Sequence, residues 1–161
     1  MVEKDIAKIN ELLVSVYDDI GVIESKSLKS GALKDLSITE IHTIEAIGLS
    51  GKKSMSEIAE ELEITTGTLT TAVDKLIKKG YAERNRSEMD RRIVYIALTK
   101  KGKLAYKIHD GFHYKMVKSV INDLTEEEGQ TLIKGLNKLN KFLKDVFKQI
   151  DNRQDGESKN V

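Results

Sequence analysis

Ser54-Met-Ser-Glu-Ile-Ala-Glu-Glu-Leu-Glu-Ile-Thr65-Thr-Gly-Thr-Leu-Thr-Thr-Ala-Val-Asp-Lys-Leu-Ile-Lys-Lys-Gly80 is the stretch that decides the fold. Ser54 and Glu57 form a capping box, so a short helix opens there and ends near Glu63. Glu63-Ile64-Thr65 reads as a turn. Thr65 or Thr66 then caps a second helix that stops before Gly80, a glycine suited to the left-handed position after a helix. Ile58, Ala59 and Leu62 point inward from the first helix, and Leu69, Ala72, Val73, Leu76 and Ile77 form one face of the second. The opposite face carries Thr66, Gly67, Thr68, Thr70, Thr71, Asp74, Lys75 and Lys78. An amphipathic helix with a solvated polar face explains the apolar stripe. It does not explain five threonines in the seven positions 65–71. A helix-turn-helix does, because its second helix meets base edges with hydroxyls, methyls and a closely approaching glycine backbone.

The next residues supply a wing. Tyr81–Arg86 and Arg92–Leu98 are β-prone runs joined by the polar Ser87-Glu-Met-Asp90, the pattern of a hairpin. Four of the five arginines, Arg84, Arg86, Arg91 and Arg92, fall within nine residues around it. Guanidinium groups bind phosphate through two donors and never deprotonate, and narrow A·T-rich minor grooves attract them. Asp90 is assigned to holding Arg86 or Arg92 in position. The charge pattern agrees. The chain has a net charge of +1, yet residues 65–107 hold 11 basic and 4 acidic side chains, while residues 1–64 hold 7 and 13. Double-stranded DNA, A/T-rich where the wing enters the minor groove, is the predicted partner.

Further outward, helices are expected at both ends. Ile6, Ile9, Leu13, Val16, Ile20 and Ile23 repeat at three and four residues, as do Leu132, Leu136, Leu139, Leu143, Val146 and Ile150. Two such stripes at opposite ends of so small a chain predict a shared homodimer interface. Ser37-Ile-Thr-Glu40 caps a helix reaching about Leu49, Thr99 caps one through about Asn122, and Thr125-Glu-Glu-Glu128 opens the last. The predicted fold is mainly α with a small β-hairpin wing. Residues 1–36 and 99–150 would supply dimerisation helices, 37–98 a winged helix-turn-helix lobe, and 151–161 a disordered tail.

Composition removes several classes. With 161 residues and 39% apolar content, the chain can bury a core as one domain. Cysteine is absent, which excludes disulfides, thiolate metal sites and thiol nucleophiles. The longest apolar run, Ile93 to Leu98, is far short of a membrane span, and charged residues near Met1 do not suit a signal peptide. A cytoplasmic protein with no membrane partner is expected. No nucleophile elbow or phosphate loop is present, so the chain does not read as an enzyme.

Ser56-Glu-Ile-Ala-Glu-Glu-Leu62, Thr66 to Tyr81, Asp90-Arg-Arg92 and Leu98-Thr-Lys-Lys-Gly102 resemble the MarR family of transcriptional regulators over residues 1–150. The resemblance implies a two-fold dimer on pseudo-palindromic operators. Glu40-Ile-His-Thr-Ile-Glu45, Thr65 to Thr71, Arg86 to Arg92 and His109-Asp-Gly-Phe-His113 are similar to the FabT-type branch, which represses fatty-acid synthesis genes. That similarity implies long-chain acyl-acyl carrier protein as a corepressor. Ile20, Ile41, His42, Ile44, Ile108, His109, Phe112 and His113 are the candidate effector pocket.

The histidines admit an alternative. His109 and His113, one helical turn apart, can chelate one metal, with His42 and Glu24 completing a tetrahedral set. Zinc-sensing members of the family use a similar set, so a zinc-responsive repressor remains open. So does a regulator released by a small aromatic ligand. An adaptor that does not bind DNA would be indifferent to loss of the wing arginines. No cofactor other than zinc is suggested.

Overall fold

The capping boxes set the helix starts in the computed structural model, which describes residues 2–86 and 93–157. Helix α1 spans Glu3–Ser30, α2 Ile38–Ile47, α3 Met55–Glu61, α4 Thr66–Lys78, α5 Lys100–Ile121 and α6 Glu126–Glu157. Ser37 accepts from the Glu40 N–H while the Glu40 carboxylate takes the Ser37 N–H at 2.8 Å. Ser54 with Glu57 and Thr125 with Glu128 repeat the arrangement. Each box satisfies two donors that a helix N-terminus otherwise leaves unpaired.

Helices α3 and α4 also end alike. After α4, Gly80 takes φ +78°, its N–H meets the Ile77 carbonyl, and Tyr81 N–H meets that of Leu76. After α3, Glu63 takes the same left-handed region at φ +55°, with Glu63 N–H on Glu60 and Ile64 N–H on Ala59. Both are Schellman closures, but only the second puts a side chain where glycine is preferred.

Strands β1 (Lys53–Ser54), β2 (Ala82–Arg86) and β3 (Val94–Leu98) form an antiparallel sheet in the order β1-β3-β2. The β2–β3 pair is the expected hairpin, with Arg84 opposite Ile96 and Arg86 opposite Val94. Strand β1 was not expected. It pairs Lys53 with Ile96 and Ser54 with Tyr95, and the Lys53 ammonium anchors it on the Ala46 carbonyl and the Glu61 carboxylate.

The chain divides into two units, Met1–Gly111 and Phe112–Val161. In the first, Ile41, Ile44 and Ile47 of α2 pack with Ile58, Leu69, Val73, Leu76, Tyr81, Ile96 and Leu98. Gly102 of α5 approaches the Tyr81 carbonyl so closely that an added Cβ would lie 2.0 Å from its oxygen. In the second unit no described residue is buried. There α6 runs to Glu157, seven residues beyond Ile150. The apolar repeat stops at Ile150, but the following residues hold no proline, and extending an existing helix costs far less than starting one.

Candidate nucleic-acid interface

Helix α4 is built to present its first two turns. Thr65 is its N-cap, accepting from Thr68 N–H at 3.2 Å, and the two threonine hydroxyls lie 2.9 Å apart. Leu69, Ala72, Val73 and Leu76 bury the other side. Thr66, Gly67, Thr68, Thr70, Thr71, Asp74, Lys75 and Lys78 are all exposed, as the periodicity predicted. The Thr70 hydroxyl donates to the Thr66 carbonyl at 2.7 Å and Thr71 to that of Gly67 at 3.4 Å. With those protons committed, both side chains offer a methyl group and an accepting oxygen. Such groups suit a thymine methyl or a base amino group better than a guanine acceptor edge.

The C-terminal end of α4 is held from several directions. Lys79 donates to the Asp35 carbonyl and, at 2.7 Å, to the Glu40 carboxylate. Tyr81 donates its hydroxyl to Asp35 at 2.7 Å, and Lys101 lies 3.9 Å over the Tyr81 ring. The Tyr81 hydrogen bond, with Lys101 beside it, holds the Asp35 carboxyl below its usual range. Burial acts to raise Glu40, but Lys79 and the Ser37 N–H together outweigh it and leave that carboxyl lowered. Burial, followed by the hydrogen bond to Asp35, raises the Tyr81 phenol. These ties fix the angle at which α4 leaves the lobe.

Arg84 and Arg86 are exposed and lie two residues apart, on one face of β2. Arg84 meets Asp74 of α4 at 2.6 Å, a pairing that the sequence reading did not foresee. Asp90, Arg91 and Arg92 fall outside the described residues.

A second cluster lies in the same unit. His42 approaches one Glu24 oxygen at 3.6 Å, and His109 lies 3.9 Å from the other and 3.5 Å from Glu45. Glu24 and His109 are buried. Zinc ligands about 2.0–2.1 Å from the metal stand roughly 3.3 Å from one another, and the ligand atoms of His42, Glu45 and His109 all lie within 4.8 Å of one another, close enough to gather such an ion. Glu45 was absent from the predicted set, because an acidic residue three positions after a histidine is unremarkable in a helix. His113 belongs to the second unit and lies edge-on to Phe112 at 5.3 Å.

The predicted effector pocket is only partly assembled. A cavity of about 670 Å³ in the first unit is lined by Tyr17, Ile20, Val22, Ile38 and His42, with Glu24, Lys26 and Lys29 also on its wall. Ile41 and Ile44 are fully buried in the core instead. The stripe of α2 that Ile41 and Ile44 occupy is covered by the core, so these two have no free side to offer, whereas Ile38 at the start of the helix reaches the cavity. Ile108 is exposed and does not line this cavity.

A capped, threonine-faced helix beside an arginine-bearing β-hairpin defines a winged helix-turn-helix DNA-binding protein. A MarR-family model matches residues 34–93. The regulator BilQ of Clostridium symbiosum is 33% identical over 107 residues, covering 66% of this chain and 74% of that protein. The chain therefore belongs to the MarR family of transcriptional regulators. The HTH-type regulator YfiV of Bacillus subtilis is 28% identical over 155 residues, covering 90% of this chain and 96% of its own length. Among solved structures, Streptococcus pneumoniae FabT in complex with DNA superposes with a TM-score of 0.82 at 44% identity. That match covers 87% of this chain and 98% of the other. No helix among the described residues is long and apolar enough to cross a membrane.

Proposed function

We propose that this DNA-binding regulator is a homodimeric repressor of fatty-acid synthesis genes whose grip on DNA is tightened by long-chain acyl-acyl carrier protein. The observation that carries the reading is the likeness to FabT bound to DNA, 44% identical across nearly the whole of that chain. Each subunit would set α4 in a major groove of an A/T-rich pseudo-palindrome through Thr66, Gly67, Thr68, Thr70, Thr71, Lys75 and Lys78. Arg84, Arg86, Arg91 and Arg92 would serve the adjoining minor groove, with Asp90 positioning an arginine. A dimer spaces two such helices by about 34 Å, one turn of DNA.

Exposed Ile6, Ile9, Leu13, Val16 and Ile23 on α1, and Leu132, Leu136, Leu143 and Ile150 on α6, support dimerisation. Soluble monomers seldom show contiguous apolar surface of that extent. The cavity beside α1 supports an acyl ligand, since its walls are largely apolar and its two lysines are matched by Asp18 and Glu24. An acyl chain acts as corepressor only by binding the DNA-competent conformation more tightly, and DNA must then tighten acyl binding equally. Fluorescence anisotropy with an A/T-rich palindromic duplex in EDTA tests this. Hexadecanoyl-acyl carrier protein should tighten binding and the unacylated carrier should not; equal effects would refute the corepressor.

The cluster of Glu24, His42, Glu45 and His109 supports a second reading, a zinc-responsive repressor. Under that reading added zinc restores DNA binding lost in chelator, and acyl carrier protein has no effect.

A further inference from the structure

Asp74 is the sole acidic residue of α4, and it stands on the face that carries the threonines and lysines. It lies one turn after Thr70 and one turn before Lys78, so all three share a stripe along the exposed side. A carboxylate there repels phosphate, and its partner is a cation of the neighbouring strand. The Arg84 guanidinium sits 2.6 Å from the Asp74 carboxylate, with the two side chains 43% and 54% exposed. An exposed pair of this kind adds little to stability, so it opens readily and is a poor explanation for keeping an acid on a DNA-facing helix.

We propose that Asp74 is a specificity-determining residue that withholds Arg84 from phosphate until a matching base is met. The inference rests on α4 and β2 facing DNA as described above. Binding to arbitrary DNA comes almost wholly from cations that displace counterions on phosphates. Arg84 displaces none while it is paired with Asp74. At a site that turns a cytosine amino group toward α4, the carboxylate has a base to accept from, and the guanidinium is released to the backbone. The pair thus weakens binding to unmatched sequence more than binding to the operator.

The test measures salt dependence on sheared heterogeneous DNA and on the tightest duplex that the wild-type protein selects from a random pool. Asp74→Asn should bind the heterogeneous DNA several-fold more tightly, with log K against log salt steeper by about 0.9, one additional phosphate. Between about 50 and 200 mM salt it should lose about 3.5-fold more affinity than the wild type. Its gain on the selected duplex should be smaller, so discrimination falls. In an Arg84→Ala background the same substitution should leave the slope unchanged. An unaltered slope in Asp74→Asn, or a steepening that persists without Arg84, overturns the proposal. Failure of wild-type protein to bind either DNA would instead overturn the reading of the face itself, and unaltered thermal unfolding separates both from misfolding.

Discussion

Residues Met1–Gly111 and Phe112–Val161 treat their apolar side chains in opposite ways. In the first, Leu69, Leu76, Ile41, Ile47 and Ile96 are sealed in one cluster, so the winged lobe carries its own core. In the second, Val117, Ile121, Leu132, Ile133 and Leu136 line an open groove of about 400 Å³, and Phe142, Leu143 and Ile150 face outward. The DNA-facing lobe is organised from within, whereas the second unit has apolar surface to cover. A regulator benefits from that division, since contacts made outside the lobe can change how it is presented without remaking its core.

Identical truncations should expose the contrast most clearly. Leu76 is 0% exposed and Leu136 53% exposed. Leu76→Ala should cost about 2–5 kcal/mol in urea denaturation, through lost burial and a cavity. Leu136→Ala should cost about 0.5 kcal/mol or less in dilute protein. Equal losses would mean that the second unit is covered after all. Association is the converse measurement: Leu136→Lys should leave far-UV circular dichroism intact while shifting sedimentation toward the monomer.

Caps give the next effect. Ser37→Ala removes an N-cap at the start of α2 and should lower stability by about 1 kcal/mol. Acid should strike the first unit next. Asp35 and Glu40 titrate below their usual ranges, so the stability they add is complete above about pH 5 and disappears as pH falls through their lowered values. Asp35→Asn with Glu40→Gln should flatten the acid limb of a melting-temperature profile. A gain rather than a loss is expected from Glu63→Gly in the same denaturation, because glycine relieves the left-handed strain after α3 by about 1 kcal/mol.

Helix starts were legible in the sequence because capping boxes are local: Ser37 and Glu40, or Ser54 and Glu57, satisfy each other over three residues. Gly80 marked the end of α4 for the same reason. Strand β1 was not legible, since Lys53-Ser54 has no β-propensity and pairs only because β3 offers it an edge. For α2 the sequence left Ile41 and Ile44 open to a core or a pocket role, and it took the tertiary fold to show them enclosed by elements distant in sequence. In the site, the exposed face of α4 could be read directly from its spacing. The pairings of Arg84 with Asp74 and of His109 with Glu45 required the tertiary fold.

Strand β2 stands at the edge of the sheet, and Glu83, Arg84, Asn85 and Arg86 along it are all exposed and polar. An open strand edge is a template on which another chain can add by backbone pairing, and charge along it is a common natural deterrent to aggregation. Arg84 and Arg86 therefore guard solubility along this edge. A variant in which alanine or valine replaced them would have a bare β-edge and a tendency to precipitate. Replacement with glutamate would reverse the charge of the edge and keep the protein dispersed.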